Sequence, residues 1–229
     1  MSKKVVIAID GPAGAGKSTV AKHLAQLLNY VYVDTGAMYR ALTFIVIREN
    51  VADDIEKVIK ISKDAEIELR FEDFITRVFF NGEEVTEKIR SSEVNSKVSE
   101  ISKIPEVREQ MVKIQRSLGN NQNLIAEGRD TTTIVFPDAT VKVYLTASIE
   151  ERTKRRYKEL IEKGFDVSLE EVKENIIQRD QIDSNREVSP LKQADDAVLI
   201  DSTDMEIPDE IHKMIDIIEE STGLQLRLK

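Results

Sequence analysis

The chain has 229 residues, 41% of them hydrophobic, so it can bury one sizeable core, and none of its apolar runs is long enough to span a membrane. Its 33 basic and 42 acidic residues give a net charge of −9, which argues against a general nucleic-acid or anionic-membrane surface. The absence of cysteine excludes thiolate chemistry and disulfides, and two isolated histidines disfavour a histidine metal site, so we expect a soluble cytoplasmic protein.

Five short apolar runs, with helical sequence between them, predict the strands of one sheet. The runs are residues 3–10, 30–33, 124–126, 141–145 and 197–200. Helical periodicity follows the first two runs, at residues 20–28 and 35–48, and the second helix carries one continuous apolar stripe. Strands that alternate with helices predict an α/β fold in which helices cover both faces of a parallel sheet.

A phosphate-binding motif lies between the first predicted strand and the first predicted helix. Residues 11–18 match the pattern G-x-x-x-x-G-K-[ST]. Its glycines let backbone N–H groups point at phosphate oxygens, and the following helix adds its positive N-terminal end. We expect Lys17 to neutralise the β and γ phosphates and Ser18 to bind Mg²⁺. The predicted ATP-binding residues are Gly11, Pro12, Ala13, Gly14, Ala15, Gly16, Lys17, Ser18 and Thr19.

Two segments interrupt the alternation of strands and helices. In the first, apolar and polar residues alternate at 67–71 and again at 78–80, and Asn81-Gly82 predicts a two-residue hairpin turn, which indicates a small antiparallel insert. Helices are expected next, over residues 91–102 and from Pro105 onward.

In the second segment, two Ser-x-x-Glu capping boxes begin at Ser148 and Ser168. They predict two charged helices joined at Gly164, which would form a helical hairpin that projects from the core.

Several motifs in order resemble the bacterial cytidylate kinases, the CMP/dCMP kinases. They are residues 7–18 (IAIDGPAGAGKS), 34–40 (DTGAMYR), 127–130 (EGRD), 179–180 (RD) and 183–186 (DSNR). The resemblance extends along nearly the whole chain and includes the insert. It implies a three-layer P-loop kinase fold with a five-stranded parallel sheet, a small antiparallel insert that binds the nucleoside monophosphate, and a helical lid.

The resemblance also implies domain bounds. The core would comprise residues 1–62, 104–147 and 188–229, the insert residues 63–103, and the lid residues 148–187.

The resemblance implies an acceptor site rich in arginine, whose planar guanidinium groups can each bind two phosphate oxygens. Cytosine would offer its amino group to Asp130 and its acceptors to Arg108 and Ser99, whereas uracil would place a carbonyl against the carboxylate. The implied substrate-binding residues are Thr35, Arg40, Ser99, Arg108, Arg129, Asp130, Arg179, Asp183 and Arg186. The implied catalytic residues are Lys17, Arg129, Arg155 and Arg186.

Some of these residues have a second interpretation. Without the family, Ser99 and Arg108 would be interpreted as ordinary helix-surface residues, and Asp34 could cap a helix. Arg155, with Arg152 and Arg156, could instead pair with glutamates at helical spacing.

The chain departs from the family pattern after Arg129-Asp130. Thr132 stands where the family usually has glycine. If that position requires a positive φ, the backbone beside Asp130 must be strained or rearranged.

The resemblance implies transfer of the γ-phosphoryl group of ATP to CMP or dCMP, with Mg²⁺, by a monomer that acts in pyrimidine nucleotide metabolism without nucleic-acid or membrane partners. A P-loop kinase for UMP, shikimate or gluconate is one alternative. A nucleotide-dependent switch or motor is another, disfavoured because no Asn-Lys-x-Asp guanine signature follows the loop. A panel of monophosphate acceptors distinguishes these functions.

Overall fold

The computed structural model describes residues 4–119 and 122–226. Its main sheet has five parallel strands: β1 (Val6–Asp10), β2 (Val31–Asp34), β6 (Leu124–Gly128), β7 (Val141–Thr146) and β8 (Val198–Asp201). They are arranged in the order β2-β6-β1-β7-β8. This confirms the predicted α/β fold with a five-stranded parallel sheet. The first strand was predicted to begin at Lys3, which lies outside the described residues.

Helices surround the sheet and bury its apolar faces. They are α1 (Lys17–Leu28), α2 (Thr35–Arg48), α3 (Ile55–Lys63), α4 (Ser92–Ser102), α5 (Pro105–Leu118), α6 (Ile149–Glu162), α7 (Leu169–Asn185) and α8 (Ile207–Thr222). One core cluster joins α1, α8 and the sheet around Ile7, Leu24 and Met214. A second joins α2 to α3, α5 and the insert around Met38, Leu42 and other residues of the predicted stripe. None of the described helices is long and apolar enough to cross a membrane.

The insert is a three-stranded antiparallel sheet of β3 (Ile67–Glu72), β4 (Ile75–Phe80) and β5 (Glu83–Glu84). The predicted turn at Asn81-Gly82 is present, but it joins β4 to the very short β5. The turn between β3 and β4, at Asp73-Phe74, was missed because both residues have positive φ values, which are unusual for phenylalanine. A tertiary contact supports this turn, since the Phe74 ring lies 5.1 Å from the ring of His23 on α1.

Helices α6 and α7 form the predicted hairpin. A complete capping box starts α7, where Ser168 and Glu171 bond reciprocally. At the start of α6 only half of the predicted box forms, because the Ser148 N–H donates to Thr203 Oγ1 (2.9 Å) while the Glu151 carboxylate binds Arg155. The exact bounds of core, insert and lid stay a prediction.

Candidate active site

The carboxyl ends of the central strands meet at one edge of the sheet, where ligands of open α/β sheets bind. Asp34, at the end of β2, is in register with Glu127 on β6, and Asp10, at the end of β1, is in register with Gly128. A cavity of about 830 Å³ opens at this edge. All of the predicted site residues line it except Gly11 and Pro12, so the structure brings the donor and acceptor candidates together.

The phosphate-binding loop connects β1 to α1. A Cβ atom on Gly11 would lie 1.9 Å from the Leu145 carbonyl oxygen of β7, so only glycine allows this close approach. No described side chain caps the first turn of α1. Its N–H groups therefore remain available for an anion.

Lys17 is the first residue of α1 and is only 5% exposed. Its Nζ donates to the Pro12 carbonyl oxygen (2.7 Å). Burial, followed by the nearby charge of Arg129, lowers the pKa of Lys17 to about 7. An approaching phosphate would favour the charged ammonium and oppose this shift.

Glu127 also lines the cavity, and the sequence motif that contains it did not predict a role for it. Its carboxylate accepts a hydrogen bond from the Tyr32 hydroxyl (2.5 Å) and contacts the Ser18 hydroxyl. Burial and the charge of Asp34 raise the pKa of Glu127. The position of Glu127 at the end of β6, directly beside the loop in the sheet order, is the signal that could have identified it.

The cytosine candidates form a buried cluster. Arg108 on α5 is 2% exposed and pairs with Asp130, and its Nη1 donates to the Ser102 carbonyl oxygen (3.0 Å). Its guanidinium carbon lies 5.3 Å from the centre of the Tyr39 ring. Ser99 is also buried, at 5% exposed. The alternative that Ser99 and Arg108 are helix-surface residues is therefore wrong.

Two arginines of the acceptor candidates share one carboxylate, that of Asp183. Arg129 Nε donates to Asp183 Oδ2 (2.9 Å). Arg186 lies 3.7 Å from Asp183 and 3.9 Å from Asp130, and its Nε donates to the Ser189 carbonyl oxygen (2.5 Å). These two arginines thus lie beside the carboxylates of Asp130, which follows β6, and of Asp183 on α7.

Arg179 on α7 is different. It forms no ion pair with any residue that the structure describes, and its buried Nε has no hydrogen-bond partner there. Burial, followed by the charge of Arg129, lowers the pKa of Arg179 to about 10. A partly buried guanidinium near a second cation is costly unless it binds an anion.

The start of α2 contributes two more candidates. Arg40 Nη2 donates to Asp34 Oδ2 (2.8 Å), and the other oxygen of Asp34 accepts from the Ala37 N–H, so Asp34 does cap the helix. The Thr35 hydroxyl donates to the Glu127 carbonyl oxygen (2.6 Å). As a hydroxyl, Thr35 can still accept a hydrogen bond from a sugar.

The three arginines of α6 all pair with carboxylates. Arg155 contacts Glu151 at 2.9 Å and the buried Glu210 of α8 at 3.0 Å. Arg156 contacts Glu159, as the helical spacing suggests. Arg152 instead reaches the phosphate-binding loop and Asp180, contacts that the spacing along α6 could not show.

Thr132 does not have a positive φ, so glycine is not required there. Residues Thr131–Val135 form one turn of π-helix. The N–H and hydroxyl groups of Thr131 and Thr132 donate four hydrogen bonds of 2.6 to 2.8 Å to the buried carboxylate of Asp10. Burial raises the pKa of Asp10, and these hydrogen bonds oppose the shift. The threonines thus tie the segment after Asp130 to the end of β1.

Known proteins resemble this chain in fold and in sequence. A solved structure of shikimate kinase from Acinetobacter baumannii matches 96% of this chain and 96% of its own, with a TM-score of 0.50 at 18% identity, which shows the fold alone. The cytidylate kinase of Geobacillus sp. (strain WCH70) is 50% identical over 97% of this chain and 100% of its own length. That of Bacillus subtilis (strain 168) is 49% identical over the same shares.

A family model described as cytidylate kinase matches residues 7–220. The match includes the loop, the insert, the Arg108 and Asp130 cluster, and both helices of the hairpin. This chain therefore belongs to the cytidylate kinase family.

Proposed function

We propose that the chain transfers the γ-phosphoryl group of ATP to CMP or dCMP, giving ADP and CDP or dCDP. Beyond family membership, the observation that carries this proposal is the buried pair of Arg108 and Asp130 in the same cavity as the loop. The Asp130 carboxylate can accept from the cytosine amino group, and Arg108 with Ser99 can donate to its acceptors. The chain is a kinase of nucleotide substrates, and we expect a monomer that acts in the cytoplasm in pyrimidine nucleotide metabolism.

The phosphates would meet cations from two sides. Lys17 keeps two N–H donors besides the one given to Pro12, and the helix start supplies backbone N–H groups. On the acceptor side, Arg179 offers an unpaired Nε, and Arg129 and Arg186 can exchange their carboxylates for phosphate oxygens. We infer that Lys17, Arg129 and Arg186 stabilise the charge that spreads over the transferred group.

A kinase that uses ATP needs a divalent cation, and we propose Mg²⁺. Hard cations prefer oxygen ligands, and the Ser18 hydroxyl beside the Glu127 carboxylate fits that preference. Bound with ATP, the cation would neutralise charge on the β and γ phosphates.

The reaction needs no general base. The attacking oxygen belongs to a phosphate that is already ionised near neutral pH, so the acceptor has no proton to give up. The protein must align the reacting phosphates and exclude water. We propose that closure of α6 and α7, which carries Arg155 with it, does both.

The test is ADP formation with ATP, Mg²⁺ and each of CMP, dCMP, UMP and AMP. We expect fast turnover with CMP or dCMP and much slower turnover with UMP and AMP. A preference for UMP, or ATP binding with no transfer to any monophosphate, would overturn the proposal.

A further inference from the structure

Two charged residues of the helical hairpin bind the backbone of the phosphate-binding loop. The Ala13 N–H donates to Asp180 Oδ1 of α7 (2.9 Å), and Arg152 Nη1 of α6 donates to the Ala13 carbonyl oxygen (2.9 Å). Arg152 and Asp180 also pair with each other. Both backbone polar groups of one loop residue are therefore bound by a single ion pair.

This ion pair is connected to Lys17 through one peptide unit. The Pro12 carbonyl oxygen accepts from Lys17 Nζ, and the N–H of the same peptide unit is the one that Asp180 binds. A peptide unit is planar, so fixing its N–H also fixes the direction of its carbonyl. Asp180 thus determines where the acceptor for Lys17 points.

Further contacts hold Arg152 and Ala13 in place. Arg152 Nε donates to the Ala147 carbonyl oxygen just before α6 (2.9 Å), and its side chain is 11% exposed, against 19% for Asp180. Ala13 packs against Val172 and Ile176 of α7. Arg152 can therefore rotate away from the loop only by giving up several buried contacts.

Two charges so deeply placed are costly to desolvate, and apolar residues of similar volume can often replace such a pair without loss of stability. Packing of the hairpin on the loop could be achieved by Val172 and Ile176 alone. The polar contacts, unlike apolar packing, define the orientation of the Pro12-Ala13 peptide unit.

We propose that Arg152 and Asp180 are positioning residues for phosphoryl transfer, which orient the Pro12-Ala13 peptide and through it Lys17. The inference rests on the proposed function only in that the loop binds ATP. The pair acts through the loop and touches neither substrate. A displacement of the hairpin must then alter the loop, so the lid and the ATP site are mechanically connected.

The experiment compares Asp180→Ala, Asp180→Asn and a matched control, Glu150→Gln. Glu150 of α6 lies 3.8 Å from Lys173 of α7, so it joins the same two helices without contacting the loop. We expect kcat/KM for ATP to fall about tenfold or more in Asp180→Ala, with the KM for CMP within about twofold of the unchanged protein. Asp180→Asn keeps an acceptor for the Ala13 N–H and should recover most of the loss, and Glu150→Gln should have no effect.

Two further measurements keep the test independent of folding and of the acceptor. The double variant Arg152→Met with Asp180→Leu leaves no charge unpaired, and it should fold yet still bind ATP more weakly in calorimetry without CMP. Hydrogen exchange at the Ala13 amide should be faster in it than in the control. An equal rise in both KM values, or unchanged ATP binding and exchange in the folded double variant, would overturn the proposal, whichever monophosphate is the acceptor.

Discussion

The donor side and the acceptor side of the cavity solve the problem of binding polyanions in different ways. The donor side, residues 11–19, offers backbone N–H groups, the start of α1 and one buried lysine that has no carboxylate bound to it among the described residues. On the acceptor side, Arg108, Arg129 and Arg186 each pair with Asp130 or Asp183. The donor side therefore depends on the course of the backbone, and the acceptor side on an exchange of ionic partners.

This difference has an energetic reason. Backbone dipoles carry no net charge, so a loop can be built from them at little desolvation cost. Several buried guanidinium groups without counter-charges would cost far more, and paired carboxylates offset part of that cost. In the proposed function the Asp130 carboxylate would also recognise the base, because it both pairs with Arg108 and lines the cavity.

The largest effect should come from the one lysine of the donor side. Lys17→Met should lower kcat by about 100-fold to 1000-fold, because a cation that stabilises transferred charge is lost. CMP binding should change little, because Lys17 belongs to the donor side. Steady-state ADP formation measures the first quantity and calorimetry with CMP the second.

Lys113→Met is the control for this variant, since Lys113 is exposed on α5 and pairs with Glu109. If Lys17→Met turned over as fast as the control, Lys17 would have no role in the reaction. The contrast between the donor side and the acceptor side would then be wrong.

The next effect concerns stability and should appear on the acceptor side. Asp130→Ala leaves Arg108, which is 2% exposed, without its carboxylate, and should lower the free energy of unfolding by about 3 kcal/mol. Urea unfolding followed by far-ultraviolet circular dichroism suits a chain without tryptophan.

Glu83→Gln is the matched control, because Glu83 pairs with Arg48 and Lys88 at the surface and should contribute at most about 1 kcal/mol. Equal destabilisation by the two variants would show that the acceptor pairs are not held as buried charges.

A smaller effect should appear in the choice of base. Asp130→Asn presents both an acceptor and a donor, so it can bind uracil as well as cytosine, and the preference for CMP over UMP should fall about tenfold. The ratio of kcat/KM for the two monophosphates measures this, with the KM for ATP as an internal control. An unchanged ratio would mean that another group reads the base.

The two sides also differ in how far the sequence predicts them. The loop motif predicted the strand-loop-helix setting that β1 and α1 provide, and the periodicity of α2 predicted its buried stripe, because both depend on neighbours in sequence. Arg108 pairs with Asp130, and Asp180 accepts a hydrogen bond from the Ala13 N–H. The two residues of each pair lie far apart in the chain, so no local sequence pattern predicts these contacts. The Asp73-Phe74 turn was also missed, because the contact that stabilises it is with His23, which lies far away in the chain.

The smallest expected effect is a dependence of ATP binding on pH. Burial and Arg129 lower the pKa of Lys17 to about 7, so roughly half of this group is charged at pH 7 and about a tenth at pH 8. ATP favours the charged form, so its binding should be accompanied by proton uptake, and its affinity should fall about fivefold from pH 7 to pH 8. The phosphates of ATP are largely ionised throughout this range, so their titration should contribute little.

Calorimetry in buffers of different ionisation enthalpy measures both the affinity and the number of protons taken up. Lys17→Met should bind ATP more weakly and with no change between pH 7 and pH 8, because the titrating group is gone. CMP binding to the unchanged protein should also be nearly constant, since arginines stay charged throughout this range. If the ATP affinity of the unchanged protein were as independent of pH as that of Lys17→Met, Lys17 would be fully charged in the free protein. The donor side would then carry the same kind of permanent charge as the acceptor side.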